Sequence, residues 1–492
     1  MVVKADNNVF LSNCNIPSSP PTVAPTVGPS PDPTASPTRA FFAGETFQSK
    51  SGYGFSAITP AGEVVTWGKI SKDDYPSIGV VSTEARTILS VGEGSSIVAS
   101  RTAYAALKAG GAGLTAWGVK AAYTGASQFD TTASAITNLV ANDAAFAGVL
   151  AATGTVIAFG AAAHGGNVTD PVASNGHALM LASGVADIAA SAGAFAARRE
   201  DGSVFSWGNK FAGAGASSLP SSRPDLVNVT EIVASRTAFA ALTSTGSVVT
   251  FGDRYGGGDS STVAFQLQAN VTALIASQSV FVAFKLDNSI VVWGNPYYGA
   301  DISSVAGELA SGGIATVAHT AAAFAALKED GSVITWGKSD FGGDSSAVAA
   351  QLNSQVWSLH SNHYAFAALK EDGSVVVWGD ENSGGYITPA SLVDSKLTAN
   401  VTTIFSTKRA FAALKSDGEL VLWGSAYHGG GTGNDVSVAA MLTSGVRTVC
   451  SNDAAFTAIK DDGSAVVWGH AASIPVPGLL TGAPSLIDAT CA

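Results

Sequence analysis

One phrase constrains this chain more than any other: Phe-Ala-Ala-Leu-Lys-Glu-Asp-Gly-Ser-Val-Ile-Thr-Trp-Gly, running from Phe324 to Gly337. It recurs almost unchanged from Phe366 to Gly379 and from Phe411 to Gly424. Weaker copies end at Trp67, Trp117, Phe159, Trp207, Phe251, Trp293 and Trp468, each followed by Gly. With Trp336, Trp378 and Trp423 they make ten anchors, spaced 42 to 50 residues apart. A period of that length marks a repeat architecture, in which each unit buries its apolar faces against its neighbours.

Each copy has one grammar. An apolar strand (Phe366 to Leu369) meets Glu-Asp-Gly and then a second strand (Val375 to Trp378). An x-Asp-Gly turn between two short alternating runs predicts a hairpin, with Gly supplying positive φ. A Gly/Ser-rich loop and a short Ala-rich stretch follow, as in Asp344 to Leu352. A further strand, such as Val401 to Ser406, leads by a tight turn into the next Phe strand. The unit is thus a three-stranded antiparallel meander: leading strand, Phe strand, Trp strand. Tight antiparallel turns argue against a parallel solenoid and for propeller blades. The fold class is therefore all-β. The ten blades form a single large ring, two smaller rings or an open superhelix.

The string Leu-Lys-Glu-Asp-Gly-Ser-Val-Val-Val-Trp-Gly resembles the regulator-of-chromosome-condensation repeat superfamily. The stretch Gly184 to Ser191, followed by Phe195 to Gly208, is similar to the branch typified by propeller-type bacterial beta-lactamase inhibitory proteins. The resemblance spans nearly the whole chain outside its Pro-rich segment. It implies the fold but no single function, since that fold hosts exchange factors, ubiquitin-ligase adaptors and inhibitors. That superfamily usually closes with seven blades, and this chain has more.

The termini complement each other. Residues Val3 to Ser12 fit the hairpin template, with Asn7 at the Gly position and Val9 and Leu11 on the second strand. Residues Ser485 to Cys491, including Leu486 and Ile487, match a leading strand. Together they predict an eleventh blade split between the ends. Joined within one molecule it closes a ring; joined between molecules it makes a head-to-tail polymer by strand addition. The expected domains are a half-blade hairpin over 1–13, a linker over 14–40 and the repeat array over 41–492. Eight prolines between Ile16 and Thr38 make that linker an extended polyproline-II chain of ~3.1 Å per residue. Its Ser and Thr content also suits an O-glycosylated stalk. Cys14 and Cys491 both fall at the junction and are the expected disulfide, with Cys450 the competing partner.

Composition narrows the partners. The net charge is −12, from 25 basic and 37 acidic residues, which disfavours nucleic acid and anionic lipid. No apolar run reaches the ~18–20 residues needed to span a bilayer. Met1 to Leu11 lack the apolar core of a signal peptide, so a secreted chain would be numbered here from after processing.

Four Asn-Val-Thr sequons, at Asn167, Asn228, Asn270 and Asn400, are candidate glycosylation sites, although repeat copying also explains them. The loops Gly257-Gly258-Asp259-Ser-Ser and Gly342-Gly343-Asp344-Ser-Ser look like calcium loops but carry too few oxygen ligands, so a helix cap is expected. His164, His360, His363 and His428 match no metal motif and read as surface or loop histidines. The charges of Lys328-Glu-Asp330 and Lys370-Glu-Asp372 recur at every hairpin and read as solvated turn charges. Trp357, outside the anchors, is expected to fill core. Phosphate loops, nucleophile elbows and dinucleotide fingerprints are absent from the sequence.

The sequence thus predicts a secreted, glycosylated, non-enzymatic structural protein without cofactor or metal, polymerising through its split blade. The alternative is a soluble module that binds a protein ligand through rim loops carrying Tyr255, Tyr297, Tyr298, Phe341, Tyr386 and Tyr427. A nucleotide-exchange factor ranks third because of the acidic balance.

Overall fold

The computed structural model describes residues 53–58, 64–69, 96–101, 103–107, 113–118, 135–167, 181–214, 225–389, 391–432, 436–462, 464–470 and 490–491. Among them the strands form ten three-stranded antiparallel sheets. Nine are meanders of consecutive strands: a leading strand, a Phe strand and a Trp strand. One such sheet is built from Val356–Ser361, Ala365–Lys370 and Val375–Gly379. These are tandem blades of propeller type with few helices. The tenth sheet differs. Its hairpin, Tyr53–Ile58 with Val64–Lys69, takes its outer strand from Thr490–Cys491, pairing Ala57 with Cys491 and Ile58 with Thr490.

The repeat phrase explains the packing. In each Phe strand the side chains alternate between two neighbouring blades. Phe366 and Ala368 join a cluster with Ala323, Ala325 and Leu327 of the preceding blade. Ala365, Ala367 and Leu369 face forward, onto Phe411 and Ala413 of the next. The strand is buried on both faces, so it reads as a continuous apolar run rather than an alternating one. Alanine is required because each large ring must fit against small side chains at interior density. The anchors Phe159, Trp207, Phe251, Trp293, Trp336, Trp378, Trp423 and Trp468 are all buried. Each stacks on the Phe opposite it; Phe366 and Trp378 lie 5.1 Å apart. Trp67 and Trp117 hold the same register, opposite Phe55 and Tyr104.

The tryptophans also bond between blades. The Trp378 Nε1–H donates to the Gly342 carbonyl at 3.0 Å, and Trp207, Trp293, Trp336, Trp423 and Trp468 do the same to Gly165, Gly257, Gly299, Gly384 and Gly429. Phe159 and Phe251 keep the ring and lack that donor.

Three expectations change. The C-terminal strand pairs with Tyr53–Ile58, whereas the sequence assigned it to the N-terminal segment; Val3, Val9, Leu11, Leu486, Ile487, Cys14 and the Pro-rich segment lie outside the described residues. Cys450 is buried and disulfide-bonded, which excludes the Cys14–Cys491 bridge within one chain of three cysteines. Trp357 is 43% exposed rather than core. A bulge between Val356 and Ser358 opens the leading strand there and turns its second residue to solvent.

Candidate functional site

Among the described residues, nine blades share one tight turn and seven of them are followed by a second turn on the same face. The first is the tight turn between leading and Phe strands, opened by a small polar residue: Ser100, Asn142, Ser191, Ser235, Ser277, Thr320, Asn362, Thr407 or Asn452. All nine are buried. The side-chain oxygen closes the turn; Asn362 Oδ1 accepts the Tyr364 and Ala365 N–H groups at 2.8 and 2.9 Å. The same side chain reaches a loop 21 residues on. Asn362 Nδ2 donates to the Ser383 carbonyl at 2.7 Å, and Ser235, Thr320 and Thr407 bond the Gly256, Phe341 and His428 carbonyls.

That loop is the second turn, a three-residue 3-10 turn just after Trp-Gly or Phe-Gly. Instances are Lys210–Ala212, Arg254–Gly256, Pro296–Tyr298, Ser339–Phe341, Glu381–Ser383 and Ala426–His428. Asn209 and Asn295 cap two of them, accepting the Phe211 and Tyr297 N–H groups. A left-handed glycine ends each. At Gly342, with φ of 92°, a Cβ would stand 2.6 Å from the Phe366 ring of the next blade.

The middle residue of the turn has nowhere to go but outward. Phe211, Tyr255, Tyr297 and Tyr427 occupy it and are 73%, 66%, 64% and 56% exposed. Tyr386 is exposed too, in the loop after its turn, whereas Tyr298 and Phe341 are half-buried against the blade core. Phe211 escaped the sequence reading, although its Lys-Phe-Ala aligns with Arg-Tyr-Gly. The turn's place after the anchor was the available signal.

Cations lie over these rings: Lys210 over Phe211 at 5.0 Å, Arg254 over Tyr255 at 5.3 Å, Arg409 over Tyr364 at 4.2 Å. Lys338 sits between Tyr297 and Phe341, at 4.9 and 5.0 Å, and its ammonium donates to the Tyr297 hydroxyl at 3.0 Å. That bond holds the Lys338 pKa above its ordinary value. Phe341 in turn contacts Tyr364, so a cation–aromatic chain runs from Tyr297 through Lys338, Phe341 and Tyr364 to Arg409. A hollow of about 290 Å³ beside it is lined by Pro296, Tyr297, Asp301, Ser303, Gly337 and Lys338.

The first turns are linked to one another. The Arg101, Asp143, Ala192 and Arg236 N–H groups donate to the Asp143, Ala192, Arg236 and Gln278 carbonyls. In a second run the Ala321, His363 and Lys408 N–H groups donate to the His363, Lys408 and Asp453 carbonyls. Residues about one repeat apart are thus stacked in a backbone ladder. His363 stands in it, half-buried, with its Nε2 3.0 Å from Gln278 Nε2. Burial, then the charges of Lys408, His319, Arg409 and Arg236, push His363 down to about 4. His428 falls to about 4 for the same reasons, burial first and then Arg409, Lys408 and His470. His360 also falls to about 4, through burial. All three are half-buried: His363 and His428 lie in turns and His360 in a leading strand.

The other sequence candidates lie elsewhere. Asp330 and Asp372 sit at the hairpins, at the opposite end of the strands, where each carboxylate accepts the N–H and hydroxyl of the following Ser332 or Ser374 and is held below its ordinary pKa. Asp259 and Asp344 accept the Ser261 and Ser346 N–H groups at 3.0 and 2.9 Å. Among the described residues no three metal-capable side chains converge. Asn228, Asn270 and Asn400 open leading strands at φ of 54°, 63° and 67°; they and Asn167 are exposed.

No protein-family model matches this chain, and no curated protein matches it. Solved structures do. The ectodomain of the Physcomitrella patens receptor kinase CR4 aligns at 14% identity over 57% of this chain and 70% of that one, with a TM-score of 0.30. Prp20p from Saccharomyces cerevisiae aligns at 16% over 50% and 73%, TM-score 0.29. Human WBSCR16 aligns at 14% over 67% and 88%, TM-score 0.32. These likenesses are distant, and at TM-scores of 0.29 to 0.32 they carry no argument about this chain.

Proposed function

We propose that this protein is a non-enzymatic binding module that takes a protein ligand on the face of its 3-10 turns. The observation that carries the reading is the row Phe211, Tyr255, Tyr297 and Tyr427, exposed at one structural position in four blades. Large aromatics left more than half exposed on a rigid turn, three of them with a cation over the ring, have the composition of interface anchors. A recognition surface built on loops and held by a rigid scaffold is how such folds serve different partners. This reading agrees with the inhibitor-like branch that the sequence resembles. It extends to an extracellular protein glycosylated at Asn167, Asn228, Asn270 and Asn400, and to ten sheets closed as one array by the terminal strand.

The test uses the full chain with a photo-crosslinking residue at Tyr386, at the edge of the row, to identify a partner. Affinity for that purified partner is then compared between the native chain and Phe211→Ala, Tyr255→Ala, Tyr297→Ala and Tyr427→Ala. Loss of about tenfold or more for at least two of the four is expected, each worth ~1.4 kcal/mol or more. Unchanged affinity in all four would sink the reading.

A second reading is favoured by the pairing of Thr490–Cys491 with Tyr53–Ile58. One sheet takes its outer strand from the far end of the sequence. The same exchange made between molecules would yield a head-to-tail structural polymer.

A further inference from the structure

Among the described residues of this acidic chain, most cations have partners. Arg101 pairs with Asp143, Arg198 with Asp187, Arg199 with Asp201, and Lys396 and Lys415 with Glu419. Lys285, Lys370 and Lys460 donate to backbone carbonyls. Among the described residues, Arg236, Lys408 and Arg409 hold no carboxylate. Lys408 and Arg409 share one turn, and Arg236 comes from the corresponding turn four blades earlier; the backbone ladder joins Arg236 to Gln278 and His363 to Lys408. Gln278 reaches across an intervening blade to His363 at 3.0 Å. Arg409 lies flat over Tyr364 at 4.2 Å, beside Phe341.

The carboxylates nearby are occupied or turned to other work. Asp380 accepts from Ser383 Oγ at 2.5 Å and Asp253 from Thr237 Oγ1 at 3.2 Å. Asp453 gives its backbone carbonyl to the Lys408 N–H and has a further interaction of its own. Lys408, Arg409 and Arg236 each disfavour the protonated form of His363. Three uncompensated cations gathered in a chain of net charge −12 constitute a local positive field against the global one.

We propose that Arg236, His363, Lys408 and Arg409 form an anion site that receives a carboxylate-rich segment of a protein partner. The proposal rests on the reading of this face as a binding surface and names the chemistry of what it binds. Arg409, already laid flat on Tyr364, offers a planar fork to a carboxylate. Tyr364, Phe341 and Tyr297 give the flanking residues of such a segment apolar contact. Extended phosphate arrays are disfavoured on charge: nucleic acid or an anionic bilayer meets a long-range repulsion that three cations do not offset, whereas a short acidic segment presents far fewer charges.

The experiment measures binding of fluorescein-labelled hexaglutamate and hexaglutamine peptides to the full chain by anisotropy, at low and high salt. The native chain should bind hexaglutamate, more weakly as salt rises, and leave hexaglutamine unbound. Lys408→Gln with Arg409→Gln should weaken binding about tenfold or more, and Arg236→Gln, in a different blade, should weaken it independently. Lys370→Gln, on the hairpin face, should bind as the native chain does. Circular dichroism confirms that each variant is folded; should the double variant misfold, Arg236→Gln alone decides.

Equal binding of both peptides, native-like binding by the variants, or preference for a DNA oligonucleotide or anionic vesicle would overturn the proposal. A crosslinked partner that needs the exposed aromatics but not these cations would overturn the anion site alone. A partner indifferent to the aromatics would overturn the reading beneath it.

Discussion

Asn228, Asn270 and Asn400 show how one residue type can carry two meanings. Each precedes a leading strand at positive φ, where Gly184, Gln355 and Gly445 stand in other blades. Asn is the residue besides Gly that best tolerates that conformation, so the backbone alone accounts for its presence. The exposed Thr230, Thr272 and Thr402 two residues on leave the sequons open to a glycan as well. The histidines carry a sharper consequence. His360, His363 and His428 titrate near 4 in the folded chain, against about 6.5 when unfolded. Between those values the unfolded chain holds more protons, so stability falls as pH drops from about 6.5 to about 4. The hairpin aspartates have depressed folded pKa values, and their contribution is lost only below about 4. The melting temperature of the native chain should therefore fall between about pH 7 and pH 4.5. His360→Gln combined with His363→Gln should flatten that fall; equal slopes would refute the assignment.

At the scale of the element, the hairpins were legible and the turn clip was not. The sequence placed strands at Phe366 to Leu369 and Val375 to Trp378; the observed Ala365–Lys370 is one residue longer at each end and Val375–Gly379 one residue longer at its C-terminal end. Val401–Ser406 coincides with its expected span. Short apolar runs bounded by Asp-Gly turns are local, so neighbouring residues suffice to specify them. The clip from Asn362 to the Ser383 carbonyl spans 21 residues and needs the blade already folded. Its value can be measured. Asn362→Ala strands the Ser383 carbonyl and the Tyr364 and Ala365 N–H groups, at a cost of about 3 kcal/mol in all. Asn362→Ser should cost about 1 kcal/mol or less, since Ser191 and Ser235 make the same clip elsewhere. Urea denaturation of the full chain reads both, and an Ala variant as stable as the Ser variant would deny the clip its role.

For the whole molecule the open matter is where the terminal strand goes. Its pairing with Tyr53–Ile58 within one chain predicts a monodisperse monomer; exchange between chains predicts long oligomers. Mass photometry on the native chain, on one lacking residues 1–13 and on one lacking residues 486–492 separates the two. Oligomers that vanish only with the C-terminal deletion would identify exchange through the observed sheet. Oligomers that vanish with the N-terminal deletion would restore the split eleventh blade, and a monomer throughout would end the polymer reading.

The sequence by itself determined the repeat, the hairpins, the apolar faces and the buried anchors, because each follows from short-range periodicity and turn chemistry. It also supplied most of the aromatics of the 3-10 turns without saying which ones are exposed. Only the tertiary structure decided that Tyr255, Tyr297 and Tyr427 project while Tyr298 and Phe341 pack, since one residue of register within a turn reverses its side. It alone brought Arg236 to His363 across 127 positions of sequence, because stacked backbone turns convert distance along the chain into adjacency along the array.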